Sequence, residues 1–410
     1  MKAYLKEDLA KRFVNIIISV GNLTQKKYGG KAMYMNDTEA QGDLLTPEEI
    51  LKEIKVLTPF VDSVEGRDGD YLRGILNAYQ LHAKILDGAT PPYKEAIKTL
   101  LQVELTPMCE KEYNQLLAKI HSDLVERGYT GTPQEQIQNW LNDTKIPPEK
   151  VIDVTKALLV KTKAATLRRV IRLPENDKIE NVMSVQNVYW SGSSAYLGNG
   201  KGELTFNIDR SWSIPTFTSI VCHEGYPGHQ AVYCNWNHLF LNHQFPIEGA
   251  FYSVVGDPTT PMAEGIPEMG ISILGWDNFD EETPEITNEE KKLNALGNHV
   301  LRIKRMVQQE GCYRYHVLGQ SGEEVARWMQ STGLLNKMDA ENTVTFFSDP
   351  VQQYYYPAYH YGTILIEKAY RAIPKEKRKI FFEKIYNLPH TTETISAVVE
   401  ELTNRPFNPF

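Results

Sequence analysis

Val221-Cys222-His223-Glu224-Gly225-Tyr226-Pro227-Gly228-His229-Gln230 is helical sequence with an interruption built into it. Histidines stand at positions 223 and 229, and an acid follows the first. In the common zinc pattern HExxH, two imidazoles fall one turn apart on one helix face, and the glutamate between them serves as base. Here the position four after His223 is Pro227, which cannot bind a metal, and the second histidine comes six residues on. On a regular helix six residues turn through roughly 600° and rise roughly 9 Å. Ligands of one zinc ion must each lie ~2.0–2.1 Å from it, so an unbroken helix would hold these two apart. Pro227 lacks an N–H and clashes with the carbonyl of His223, which breaks a helix. Gly225 and Gly228 give the backbone the freedom to bend there. The segment therefore predicts a break that swings His229 back towards His223. A plain turn carrying two unrelated histidines is the other reading of these ten residues.

Working downstream, a hydrolytic zinc site uses three protein ligands and keeps a fourth position open. The stretch Pro261-Met262-Ala263-Glu264-Gly265-Ile266-Pro267-Glu268-Met269-Gly270 places Glu264 in apolar surroundings. A carboxylate there needs a partner charge, and a metal is one. Glu264 is thus the expected third ligand, with Glu268 one turn later as competitor and Glu248 as a weaker one. An acid that merely meets a helix dipole is the plainer alternative. The run Tyr354 to Tyr361 is dense in hydroxyls, and Tyr359 is the expected donor to a developing oxyanion. Packing accounts for most of the other rings. Arg302, Arg305 and Arg314 are candidates for holding a substrate carboxylate, which guanidinium matches in bidentate fashion. His82, His121, His238, His243 and His299 are expected to be structural, exposed or at most supporting. Cys222, beside the motif, should point away from His223.

Working upstream, residues 1–172 read as helix almost throughout. Thr46-Pro47-Glu48-Glu49 and Thr132-Pro133-Gln134-Glu135 each offer a capping hydroxyl, a first-turn proline and a glutamate three after the cap. Ser321-Gly322-Glu323-Glu324 repeats the device without the proline. Thr106-Pro107 is expected to open a long helix ending near Gly128. Residues 182–190 and 203–208 read as two strands of a small antiparallel ribbon, with the Gly- and Ser-rich stretch 191–202 as its turn. Helices resume at Thr216 and close the chain over about 375–388 and 392–403. The expected fold is mainly α, a helical metallopeptidase-like architecture with a small antiparallel β element before the zinc-binding helix. Residues 1–172 should form one wall of a groove and residues 173–410 the zinc-binding region, as one continuous unit.

The 410 residues are 41% hydrophobic and 23% charged, enough apolar material for a sizeable core. A net charge of −8 argues against nucleic acid as a partner. Cys109, Cys222, Cys234 and Cys312 form no CxxC pair, so reduced thiols and a cytoplasmic setting are expected. The run Phe13 to Val20 is interrupted by Asn15, and no leader is expected. No apolar stretch approaches ~18 residues, so no membrane span is expected.

Taken together, these residues resemble a large bacterial domain family of unknown function whose members are similar to gluzincin metallopeptidases. Its marks are an HExxPGH segment, a downstream Glu-Gly pair and a YxxG motif, here His223 to His229, Glu264-Gly265-Ile266 and Tyr359-His360-Tyr361-Gly362. The likeness covers roughly residues 180–372. Ile266 stands where the family carries Trp, and Gln230 where many members carry a further histidine, differences that bear on substrate preference. The resemblance implies a hydrolase with one Zn2+ per chain acting on a peptide. Glu224 is expected to be the general base towards a metal-activated water. An amidase or deacylase on a small amide, and a non-catalytic metal-binding helical protein, use the same residues. A structural site would have no need of Glu224 beside its ligand. Elemental analysis of the purified protein should find about one zinc per chain, and His223→Ala or His229→Ala should each strip it. Zinc held as tightly by His229→Ala as by the parent would remove His229 from the ligand set.

Overall fold

The structure is a computed structural model that describes residues 4–29, 34–36, 45–244, 251–253, 255–408 and 410. Capping chemistry sets where many helices begin. Thr46, Thr132 and Ser321 each accept from the backbone N–H three residues on, while the glutamate there accepts from the cap's own N–H. Thr287 does the same with Glu290 and opens the longest helix, Asn288–His316. Each such cap is worth about 1 kcal/mol. The Thr106-Pro107 pair behaves differently. Its helix starts only at Glu110, because the Thr106 N–H donates at 2.9 Å to the Tyr361 hydroxyl, a tertiary partner that local sequence cannot announce.

Apolar faces then assemble these helices. Glu7–Tyr28, Pro47–Asp62 and Gly66–Leu86 enclose Phe13, Ile17, Leu57 and Leu72. Glu110–Glu126 and Pro133–Asp143 bury Ile120 and Trp140 against Val300, Met329 and Phe347 of the C-terminal half. Ala78, Ile97 and Leu100 meet Ala358 and Tyr361. The apolar clusters therefore cross residue 173 rather than stop there. The largest joins Phe206 and Phe217 to Trp276, Leu365 and Phe381 around the histidine segment. The chain is mainly helical. Among the described residues no helix is long and apolar enough to cross a membrane.

The β element differs from the expected two-stranded antiparallel ribbon. It has three strands, Lys178–Val185, Gly192–Gly198 and Lys201–Asn207, with the last in the middle. The first strand runs parallel to the middle one and the second antiparallel. The stretch read as one long turn thus holds a strand, and the turn shrinks to Asn199-Gly200, both at positive φ. Asn-Gly is the favoured two-residue hairpin turn. The strand opens with Gly192-Ser193-Ser194-Ala195 and holds no β-branched residue, so its first half reads as loop and its pairing partner decides otherwise. A second, two-stranded antiparallel pair joins Tyr34–Asn36 to Phe251–Ser253.

One helix crossing brings the downstream motifs together. Thr260–Glu268 lies across Ala358–Ala372, with Gly265 against Gly362. A methyl group at Gly265 would collide with the Gly362 carbonyl, and one at Gly362 with the Pro261 carbonyl. The backbones touch because neither residue has a Cβ. Gly362→Ala should therefore cost about 1–3 kcal/mol of stability, read as a lower urea midpoint. An unchanged midpoint would show that the crossing can relax.

Candidate metal centre

Helix Ile214–Glu224 delivers His223 and Glu224 at its last turn, and helix His229–Leu241 starts on the second histidine. Between them the chain turns sharply. The Gly225 N–H donates to Val221 at 2.9 Å and the Gly228 N–H to Cys222 at 3.0 Å. A methyl on Gly228 would collide with the carbonyl oxygens of Cys222 and His223, so only glycine lets the chain double back so closely. Asp177 grips the break from outside. It accepts from the Tyr226 hydroxyl at 2.8 Å and Gln230 Nε2 at 2.9 Å, and pairs with Lys163. The two imidazoles end with ring centroids 4.8 Å apart and planes at 87°. The expected break is present and does what the spacing demanded.

Glu264 closes the group. Its Oε2 lies 3.3 Å from His223 Nε2 and its Oε1 3.6 Å from His229 Nε2. Ligands bonded at ~2.0–2.1 Å in a tetrahedral zinc site lie about 3.3–3.4 Å from one another, so these separations fit a shared ion. Glu264 is 1% exposed. Tyr355 donates its hydroxyl to Oε1, whereas the buried Oε2 has no hydrogen-bond partner. An unpartnered carboxylate oxygen in the interior is costly, and a cation between the imidazoles would satisfy it. Glu224 also approaches both histidines, with a carboxylate oxygen within 4.8 Å of their nitrogens. The shorter separations and the orphaned oxygen favour Glu264 as third ligand and leave Glu224 beside the site. Glu268 sits on the other face of His223, 3.7 Å from Nδ1, and Arg305 binds it at 2.6 Å. At that distance Glu268 acts on the imidazole by charge and makes no hydrogen bond to it. Glu248 lies outside the described residues.

The electrostatics agree. Burial alone would lower the His223 pKa, but Glu264, Glu224 and Glu268 outweigh it and raise it to about 9. Burial lowers His229 to about 4 against the pull of Glu264. Burial also opposes the ionisation of Glu264, yet the histidines hold its pKa below the ordinary value. Glu224 is raised to about 7, chiefly by burial and then by Glu264 and Glu268. A positive charge is thus held among these carboxylates, in the place a metal would take with release of the proton.

Tyr359 stacks beside His223, centroids 6.3 Å apart, with the Arg305 guanidinium 4.6 Å from its ring centroid. Its hydroxyl makes no hydrogen bond among the described residues, and burial raises its pKa well above the ordinary value, so it stays a donor. Tyr361 is tied to Thr106 instead. Of the three arginine candidates only Arg305 reaches the site, since Arg302 pairs with Glu367 at 2.7 Å and Arg314 with Glu310 at 3.0 Å. His82 bonds the Gly256 carbonyl, His121 bonds Gln136 and His299 stands near Asp123. Cys222 is buried, and its thiol pKa is pushed up.

A cavity of about 610 Å³ opens over the histidines. One side is the strand Gly192–Gly198, which contributes from Gly192 to Tyr196. The other comes from helices Asn288–His316, Lys337–Ser348 and Ala358–Ala372. Among the described residues, none of 1–172 lines it. The N-terminal helices, expected as a wall of the groove, set their apolar faces against Ala358 and Tyr361 and the long helix. Sequence reasoning missed Tyr355, Arg210 and Gly192. Only the Tyr354–Tyr361 density pointed near one of them.

No family model and no curated protein matches this chain. Among the solved structures similar to this chain, two serve to show the fold. One, from Colwellia psychrerythraea and described as a "putative lipoprotein", has TM-score 0.58 at 17% identity over 89% of this chain and 65% of its own. This chain therefore spans less than two thirds of that protein's length. The other, a lipoprotein of unknown function from Shewanella oneidensis, has TM-score 0.50 at 13% identity over 95% and 73%. At such identities the likeness is one of fold.

Tyr355→Phe removes the one hydroxyl that holds Glu264 Oε1 and should weaken zinc binding about 10–100-fold, measured by competition with a chromogenic chelator. Unchanged affinity would mean that Tyr355 does not orient a ligand.

Proposed function

We propose that this chain is a zinc-dependent peptidase of the HExxPGH kind, with one Zn2+ held by His223, His229 and Glu264. The observation that carries the reading is the buried Glu264 carboxylate set against the Nε2 atoms of two perpendicular imidazoles, its Oε2 without a hydrogen bond among the described residues, with a further carboxylate alongside. Zinc in that position supplies a Lewis acid that polarises a carbonyl and lowers the pKa of water towards ~7. Glu224, with a pKa near 7, suits a base that takes a proton from water and returns it to the leaving amine. Tyr359 offers a free, protonated hydroxyl to the developing oxyanion.

The strand Gly192–Gly198 favours a peptide over a small amide. It stands at the edge of its sheet, bonded on one side only, and it lines the cavity. An extended peptide can pair with such an edge through its own backbone. Gly192 also lies against Glu224, where a Cβ would come to 3.0 Å from Oε1. All four cysteines are free, which suits the cytoplasmic setting we propose.

Two substitutions separate metal binding from rate. Glu224→Gln should keep its zinc and lose peptide hydrolysis by ~10²–10⁴-fold. Glu264→Gln should lower zinc affinity, because a neutral donor replaces an anionic one. Zinc content by elemental analysis and turnover on a mixed peptide library are measured for each. Loss of zinc from Glu224→Gln, or full zinc and full activity in Glu264→Gln, would overturn these roles.

A further inference from the structure

Arg210 reaches the same cavity from the loop after strand Lys201–Asn207, and nothing in the proposed chemistry uses it. It makes no contact with His223, His229 or Glu264. Its guanidinium bonds Asp339 at 3.1 Å and the Tyr189 carbonyl at 2.7 Å, and its buried Nε has no partner. Lys304 lies close enough to feel both Asp339 and Arg210, yet makes no ion pair among the described residues. Arg305 is nearby and already bound to Glu268. Three cations, Arg210, Lys304 and Arg305, thus share two carboxylates, Asp339 and Glu268. Within this group of five side chains the cations outnumber the carboxylates by one. Burial lowers the pKa of both Arg210 and Lys304, and the charge of Asp339 pulls the other way in each. Asn342 and Thr343, one turn beyond Asp339 on the same helix, line the cavity beside this group with neutral polar side chains.

The acids of the cavity are otherwise engaged. Glu264 is held by the histidines and Tyr355, and Glu268 by Arg305. A peptide's terminal ammonium would find no free carboxylate apart from Glu224, whereas a terminal carboxylate finds an under-compensated guanidinium of matching shape. We infer that Arg210, supported by the charge of Lys304, anchors the free C-terminal carboxylate of a peptide, so that the site trims chains from that end. This rests on the peptidase reading above and adds a substrate class to it.

The test uses matched pairs of N-acetylated peptides, as the free acid and as the C-terminal amide. With zinc-loaded protein, the acid should be cleaved at least about tenfold more efficiently than the amide, with release of C-terminal residues. In Arg210→Met that preference should vanish, while Arg210→Lys should keep part of it. Circular dichroism and zinc content show that each variant is folded. The same pairs are titrated calorimetrically into zinc-loaded Glu224→Gln, so that binding is read without turnover. Equal cleavage and equal binding of acid and amide, or a preference that survives Arg210→Met, overturns the carboxylate anchor and leaves the peptidase standing. Acid-selective binding that depends on Arg210, with no peptide cleaved by the parent, keeps the anchor and overturns the peptidase.

Discussion

A regular helix cannot turn residues 223 and 229 towards one point, and the sharp reversal of the chain between them is the constraint on which the site depends. It is held by three features that fail separately. Pro227 ends the first helix. Gly228 lets the chain pass against the carbonyls of Cys222 and His223, where any Cβ would collide. Asp177 then ties both sides of the break, through Tyr226 within it and Gln230 just after it. Gln230 stands where relatives of the resembled family often carry histidine, and its task here is this buried bond to Asp177 and another to the Gly200 carbonyl.

The third member of the group arrives by a different route. Glu264 is brought in by a helix that can approach only because Gly265 and Gly362 let two backbones touch. The same crossing sets Tyr355 and Tyr359 over the histidines. Two short sequence marks some hundred residues apart, each weak alone, are thus the two halves of one contact. The N-terminal helices act at one remove, packing behind Ala358 and Tyr361. Charge follows the same layering. Carboxylates crowd the histidines and raise the demand for a cation there, while Arg305, bonded to Glu268 and stacked on Tyr359, separates that acidic group from the basic one around Arg210.

Local rules made much of this legible. Capping boxes located the helix starts at Thr46, Thr132 and Ser321, because the hydroxyl and the glutamate act within four residues. The same locality explains the failures. Thr106 looks like a cap but donates its N–H to Tyr361, some 250 residues on, so its helix begins late. Gly192-Ser193-Ser194-Ala195 has loop composition and becomes a strand because Lys201–Asn207 pairs with it. The parallel neighbour on the other side of that strand has no signal in either segment alone.

The amino-acid sequence by itself determined the mainly helical class, the break after His223 and the candidate set His223, Glu224, His229 and Glu264, since those follow from backbone stereochemistry and residue type. It preferred Glu264 and left Glu268, one turn later, as its competitor. Only the tertiary structure divided them, by setting Glu264 against both Nε2 atoms and Glu268 against Nδ1 and Arg305. The choice of Tyr355 as the donor to Glu264, the strand along the cavity and the unbalanced charge at Arg210 were likewise decided in three dimensions. Each depends on groups that are distant in the chain, and hydrogen bonds and Coulomb forces act on distance in space.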